Sequence, residues 1–366
     1  MNQLRYRSAP SVCAFAAVIA TSFVLLPAAG SGCGVSEPSA SVTLAAEGPD
    51  AAPPAEVEPP DAAPSAEVEP PAAAPPTDAS AGAFASCPAT VAAYTKTSDV
   101  AYAALHPAQK LDLYVPDGAG PFPLIVWVHG GGWQTGDKAP TPAAAQAKRG
   151  YVVASVNYRL SGDAIFPAQI HDVKAAVRWL RANAAAYKID RARVAAWGPS
   201  AGGHLVALLG TSGGVAAMED LSLGNPGESS RVQAVVDFFG PTDFSKRRDG
   251  IPEACGGELE HDDDATSPSS ALLGCPLNGC PEAVQAANPL AYVTADDPPF
   301  SIMHGDSDCT VVPSQSQILA DALRASGVPA ALEFLPGAVH ADPAFFDPVH
   351  RAKVERFFDA VLKRCR

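Results

Sequence analysis

The stretch Trp197-Gly198-Pro199-Ser200-Ala201-Gly202-Gly203-His204-Leu205 decides how the chain is read. The apolar run Val194-Ala195-Ala196-Trp197 leads into it, and a helix-forming run from Leu205 to Leu209 leads out. The spacing G-x-S-x-G between a strand and a helix describes a sharp turn with serine at its apex. Held in a strained backbone conformation, such a serine stands clear of the sheet. Gly198 and Gly202 leave no β-carbon where the two backbones crowd together. The first amide of the helix, on Ala201, then faces any negative charge that develops beside the serine. So short a pattern arises by chance, and its weight depends on partners elsewhere in the chain.

Working outward, the sequence predicts strands and helices in alternation. Lys110 to Val115 alternates like an edge strand, and Pro123 to Val128 is a near-continuous apolar run of the kind buried on both faces. Ala143 to Arg149 reads as a helix stopped by Gly150, and Tyr151 to Tyr158 as a strand. Pro167 to Tyr187 reads as an amphipathic helix, with Val173, Val177, Leu180 and Ala184 on one face and Lys174, Arg178 and Arg181 on another. After the serine turn come strands at Val232 to Phe239, Phe300 to Met303 and Ala331 to Leu335. Helices are expected at Ser314 to Ser326 and Pro348 to Arg364, the latter with Val354, Phe357, Phe358 and Val361 inward. This order predicts an α/β fold with a mostly parallel sheet covered on both faces, its site at the carboxyl ends of the strands.

Each candidate chemical group falls just after a strand. His129-Gly130-Gly131-Gly132-Trp133 follows the buried strand, and consecutive glycines let backbone amides approach a developing oxyanion. A phosphate loop is disfavoured because Gly132 to Lys138 lacks the G-K-[ST] ending. His129 itself reads as a structural hydrogen bonder rather than a base. In His304-Gly305-Asp306-Ser307-Asp308 two carboxylates compete to orient an imidazole; Asp306 is better placed to shape the turn, so Asp308 is preferred. His340, after the last strand, completes the order Ser…Asp…His and supplies an imidazole, the side chain suited to act as a general base. His171 and His204 fall on helices and read as structural.

The remaining sequence bounds the setting. The 366 residues carry 39 Asp and Glu against 25 Lys and Arg, a formal net charge of −14, which argues against a nucleic-acid partner. Arg5 and Arg7, the apolar run Val12 to Leu26 and the small residues up to Gly32 have the layout of an export signal over residues 1–32. Cys33 follows directly, as at the lipidation site of bacterial lipoproteins. Export with an acylated Cys33 on the outer membrane or cell surface is therefore expected, with periplasmic or secreted release as the alternative. No later stretch is apolar enough to span a bilayer. Residues 33–86 read as a disordered tether, rich in Pro and Ala, with purely acidic charge and the hexapeptide Ala-Glu-Val-Glu-Pro-Pro at Ala55 and again at Ala66. Residues 87–366 form the folded domain, with a specificity insertion over about 244–299. Cys87, Cys255, Cys275, Cys280, Cys309 and Cys365 suggest disulfides whose pairing is open, although Cys87 and Cys365 flank the domain. The acidic run Glu258 to Asp264 reads as a solvated loop rather than a calcium site, and no metal or cofactor is called for.

Over about residues 102–358 the chain resembles bacterial α/β-hydrolase esterases related to hormone-sensitive lipase, in their cap-poor carboxylesterase and feruloyl-esterase-like (BD-FAE) branch. The resemblance is carried by His129 to Trp133, Asn157-Tyr158-Arg159-Leu160, Gly198 to His204, Gly240-Pro241-Thr242-Asp243, His304 to Asp308 and His340. It implies a triad of Ser200, Asp308 and His340, with an oxyanion hole from the amides of Gly131, Gly132 and Ala201. Pro199 and the Ala341-Asp342-Pro343 that follows His340 depart from the usual pattern. The short segment before His129 leaves no room for a large N-terminal cap. The expected activity is hydrolysis of short-chain esters, free or linked to polysaccharide. A serine peptidase or amidase on the same fold, or a non-catalytic surface binding protein, remain the alternatives.

Overall fold

The computed structural model describes residues 93–257 and 265–363. The export signal, Cys33, the tether, Cys87, the acidic run 258–264 and Cys365 lie outside the described residues. Among the described residues eight strands form one sheet: β1 (Tyr94–Ala101), β2 (Lys110–Pro116), β3 (Phe122–Val128), β4 (Val152–Val156), β5 (Ile189–Pro199), β6 (Ala234–Phe238), β7 (Phe300–Gly305) and β8 (Ala330–Leu335). Their order is β1-β2-β4-β3-β5-β6-β7-β8. The first two pairings, β1 with β2 and β2 with β4, are antiparallel, and the rest are parallel. The α-helices are α1 (Ala168–Ala182), α2 (Ala201–Thr211), α3 (Pro268–Leu273), α4 (Pro281–Ala287), α5 (Ser314–Ala325) and α6 (Pro348–Phe358).

The period-2 geometry of a strand sorts the apolar residues onto two faces. Leu124, Val126 and Val128 of β3 join the core formed with Val173 of α1, Leu205 of α2 and Leu319 of α5. Ile125 and Trp127 face the other way, with Trp197, Val354 and Phe358 of α6, and Ala147 of a 3-10 helix, Pro142–Arg149. The sheet is thus covered on both faces, as the apolar strands require.

Three local expectations change. Strand β2 is not an edge: β1 covers it, and Asp112 is buried between Lys96 at 2.9 Å and Lys138 at 3.5 Å. β1 itself, YTKTSDVA, is mostly exposed and lacks apolar alternation, so periodicity does not reveal it. The basic face of α1 is not solvated. Lys174, Arg178 and Arg181 are buried beneath the segment that follows α2. There Lys174 Nζ donates to the Ser212 carbonyl at 2.7 Å, Arg178 pairs with Glu219, and Arg181 Nη2 donates to the Arg231 carbonyl at 2.5 Å. Burial lowers the Lys174 ammonium to about 8. Finally, α6 stops at Phe358 and widens into a five-residue π turn, Asp359–Lys363, which buries Leu362 and leaves Val361 only half-buried.

One buried carboxyl sits below α2. Asp237 of β6 accepts the Gly240 amide at 3.0 Å through Oδ1, while Oδ2 has no partner among the described residues. Burial raises this group to about 7. Below the ordinary carboxylate range both the folded and the unfolded chain carry the proton, and burial costs nothing extra. As pH rises the unfolded chain ionises first, so the fold loses relative stability until pH passes about 7. Asp237→Asn keeps an acceptor for Gly240 and cannot ionise. Its stability advantage over the wild type should be absent at low pH and reach roughly 2–4 kcal/mol at mildly alkaline pH. Urea midpoints measured across that range check this; a pH-independent difference would contradict it.

Candidate active site

β5 ends at Pro199 and α2 begins at Ala201, so a single residue turns the chain. Ser200 takes φ 55° and ψ −123°, a conformation that L-residues rarely adopt. Two constraints hold it there. The Ser200 amide donates to the Phe238 carbonyl of β6 at 2.8 Å. The helix also lies so close to β3 that a β-carbon on Gly202 would sit 2.1 Å from the Val128 carbonyl oxygen, and one on Gly198 2.5 Å from the Gly202 oxygen. Only glycine tolerates such an approach.

His340, from the loop after β8, lies 2.9 Å from the Ser200 Oγ through Nε2. Its Nδ1 lies 2.7 Å from Asp308 Oδ2. Because Nδ1 faces a carboxylate, it carries the proton; Nε2 is left to accept from the serine hydroxyl. The Phe239 ring packs edge-on against the imidazole at 4.8 Å. Asp308, in the loop after β7, is fully buried. Its Oδ1 accepts the amides of Thr310 at 2.8 Å and Val311 at 2.9 Å. Burial by itself pushes this carboxyl up, but hydrogen bonds from His304 and His340 outweigh it and hold the group well below the usual carboxylate range. Asp306 is exposed and accepts the Gly337 amide at 2.7 Å, binding the loops after β7 and β8 to each other.

The glycine run follows β3 on the other side of the serine. Gly131 and Gly132 have φ of 109° and 58°. The Gly131 carbonyl accepts the amides of Gln134 at 3.1 Å and Thr135 at 3.0 Å, closing the loop into a tight turn. Among the described residues no loop hydrogen bond is donated by the amides of Gly131, Gly132 or Ala201. All three residues line one cavity with Ser200 and His340. His129 stacks on Tyr158 at 4.5 Å and donates from Nδ1 to the Gly130 carbonyl at 2.8 Å. Burial lowers its basicity. It therefore supports the loop and stands apart from the Ser200 chain. His204 is likewise buried and bonded to the Ala287 carbonyl at 2.7 Å.

The cavity has a volume of about 510 Å³. Its walls come from the glycine loop, from Phe239 and Pro241 after β6, from Thr310 to Val312 after β7, and from Phe244, Arg247, Pro268 and Ser269 of the insertion. Two disulfides organise the insertion. Cys275 pairs with Cys280, and Cys255 pairs with Cys309, the residue next to Asp308. Among the described residues no cluster of His, Cys, Asp and Glu could hold a metal. Sequence reasoning missed Phe239, whose only signal is its place beside the quoted Gly240 motif, and gave His304 no role beyond membership of a motif.

Chemically, the arrangement can move a proton from a hydroxyl to an imidazole beside the amides of Gly131, Gly132 and Ala201, in a mostly apolar cavity. The sheet, the serine turn and the loops at its strand ends together define an α/β-hydrolase. Residues 111–323 match the BD-FAE family model, and the chain belongs to that family. It is similar to Esterase LipC of Mycobacterium tuberculosis, 30% identical over 273 residues that cover 68% of this chain and 64% of LipC. Probable carboxylic ester hydrolase LipM of the same organism is 30% identical over 255 residues, 68% of this chain and 56% of LipM. The chain thus spans less than two thirds of the length of these curated relatives. Among solved structures, a truncated form of a carbohydrate esterase from gut microbiota superposes with a TM-score of 0.66 at 32% identity, covering 74% of this chain and 96% of that one. The butyrate-bound esterase Est2 of Thermogutta terrifontis gives 0.57 at 25% identity, covering 75% and 94%.

Gly202→Ala tests the contact that sets the serine. The added methyl cannot fit against the Val128 carbonyl, and either the strand or the helix must shift. A stability loss of roughly 1–3 kcal/mol is expected, as for other overpacked sites. Labelling of Ser200 by a fluorophosphonate should fall by more than the loss of folded protein explains. Undiminished labelling of a fully folded variant would refute the constraint.

Proposed function

We propose that this protein is an exported serine carboxylesterase that hydrolyses esters of short acyl chains through an acyl-enzyme. The observation that carries the reading is the unbroken chain from the Ser200 Oγ through His340 to Asp308, with hydrogen-bond distances of 2.9 Å and 2.7 Å. Ser200 Oγ attacks the ester carbonyl carbon as its proton passes to His340 Nε2. The carbonyl oxygen becomes an oxyanion held by the amides of Gly131, Gly132 and Ala201. Asp308 stays ionised and stabilises the imidazolium. When the tetrahedral intermediate collapses, the alcohol leaves with the proton from Nε2. Water then repeats the sequence: it gives its proton to Nε2, attacks the acyl carbon and releases the acid, and the proton returns to Ser200.

Short acyl chains are supported by the modest cavity and by similarity to an esterase solved with butyrate. Similarity to a carbohydrate esterase supports an alcohol that is part of a sugar or polysaccharide. Export rests on the leader over residues 1–32, and membrane attachment on an acylated Cys33.

Nitrophenyl acetate, butyrate and octanoate, assayed beside aminoacyl nitroanilides, test the reading. The short esters should be turned over fastest, and Ser200→Ala should lower kcat by a factor of at least roughly 10³ without unfolding the protein. Turnover by Ser200→Ala equal to the wild type, or faster cleavage of the anilides, would overturn it. Asp308→Asn should leave the geometry intact yet cost roughly 10⁴-fold in kcat, because a neutral amide neither fixes the tautomer nor stabilises the imidazolium. The outcome against this is an Asp308→Asn variant within about tenfold of wild type.

A further inference from the structure

His304 lies on β7, fully buried, and the reaction above gives it no part. Its ring nevertheless touches the same carboxylate as His340. Nε2 is 3.3 Å from Asp308 Oδ2 and 2.8 Å from the Val311 carbonyl oxygen. Both neighbours are acceptors, so Nε2 must carry a proton. Nδ1 is 2.6 Å from the Ser316 Oγ of α5, a hydroxyl able to donate to it. The Phe239 ring, 6.3 Å away, stands beside both imidazoles. Asp308 is thereby approached from three sides: Oδ1 by the amides of Thr310 and Val311, Oδ2 by His340, and Oδ2 again, at the longer distance, by the His304 N–H that it shares with the Val311 carbonyl. Val311 both lines the cavity and offers its carbonyl to His304.

We propose that His304, held as the Nε2–H tautomer by Ser316, is a positioning residue that locks Asp308 Oδ2 in line with His340. The carboxylate hinges about its Cβ–Cγ bond. That rotation swings both oxygens together, so the amides on Oδ1 and the imidazoles on Oδ2 oppose it from opposite ends, and His304 adds a second restraint on the oxygen that faces His340. The same N–H ties the carboxylate to the cavity wall through Val311, so the orientation of the base is set from β7 and α5 as well as from its own loop. The inference rests on the esterase reading for its kinetic consequences, whereas the tautomer is a property of the folded chain.

The test begins with the wild-type protein, labelled with ¹⁵N. Two-bond ¹H–¹⁵N spectra should show His304 as the Nε2–H tautomer; an Nδ1–H tautomer overturns the proposal whatever the chain's activity. His304→Leu removes the donor and His304→Gln retains one. The leucine variant should lose roughly 10- to 100-fold in kcat on nitrophenyl acetate, the range typical when a hydrogen-bonded support behind a working ligand is lost. Its KM should stay within about twofold of wild type, and the far-downfield Nδ1 proton of His340 should broaden. The glutamine variant should recover most of kcat and the resonance. A folded leucine variant with wild-type kcat, or a glutamine variant no better than leucine, overturns the proposal. Should the leucine variant not fold, Ser316→Ala carries the same test: wild-type kcat with an unchanged His340 proton would refute it. If the wild type turns over no ester at all, the esterase reading fails separately, and the tautomer still judges His304.

Discussion

Gly202 lies against the carbonyl of Val128 with no space for a side chain between them, and the geometry of the site descends from that contact. It brings the start of α2 onto the end of β3, which forces the chain to turn within one residue. It also brings the glycine loop after β3 beside Ser200, since the two elements that carry them touch. A helix one methyl further away would relax the serine and separate it from the amides of Gly131 and Gly132. The strain at Ser200 is small beside the core that imposes it, in which β3 and β5 are buried along most of their length. A rigid scaffold thus maintains a local conformation that the turn alone would not choose.

The electrostatics follow a similar logic. A buried carboxylate with too few donors holds its proton more tightly, and Asp237 of the same sheet, with a single amide on Oδ1, is pushed up to about 7. Asp308, equally buried, is held ionised because two amides and two imidazoles face it. The difference between these two acids lies in what their loops place around them rather than in depth. Asp237 lies within a strand that runs beneath α2, whereas Asp308 sits in a turn whose following amides fold back onto it. The proposed chemistry needs that distinction, because only an ionised carboxylate can stabilise a charged imidazole.

Much of this was legible from residue order. The serine turn, the glycine run and a histidine after the last strand each follow an apolar segment, and their sequence-derived placement at strand ends agrees with where the structure puts them. The preference for Asp308 over Asp306 followed from turn chemistry, and the structure brings Asp308 to His340 while Asp306 ties two loops. What stayed hidden depends on contacts between distant segments. β1 is polar because only backbone pairing with β2 defines it. The cations of α1 are buried because Glu219 and a series of carbonyls, far along the chain, come to meet them. Disulfide pairing was open for the same reason, since spacing does not say which thiols converge.

The bond between Cys255 and Cys309 joins two pieces of the molecule covalently. One piece is the insertion, whose residues Phe244, Arg247, Pro268 and Ser269 shape what enters the cavity. The other is the turn that carries Asp308. A change that remodels the insertion is therefore passed by a covalent link to the turn that holds Asp308 against His340. In a compartment that keeps thiols reduced that link would be absent, and the insertion would be joined to the turn at Asp308 by packing alone.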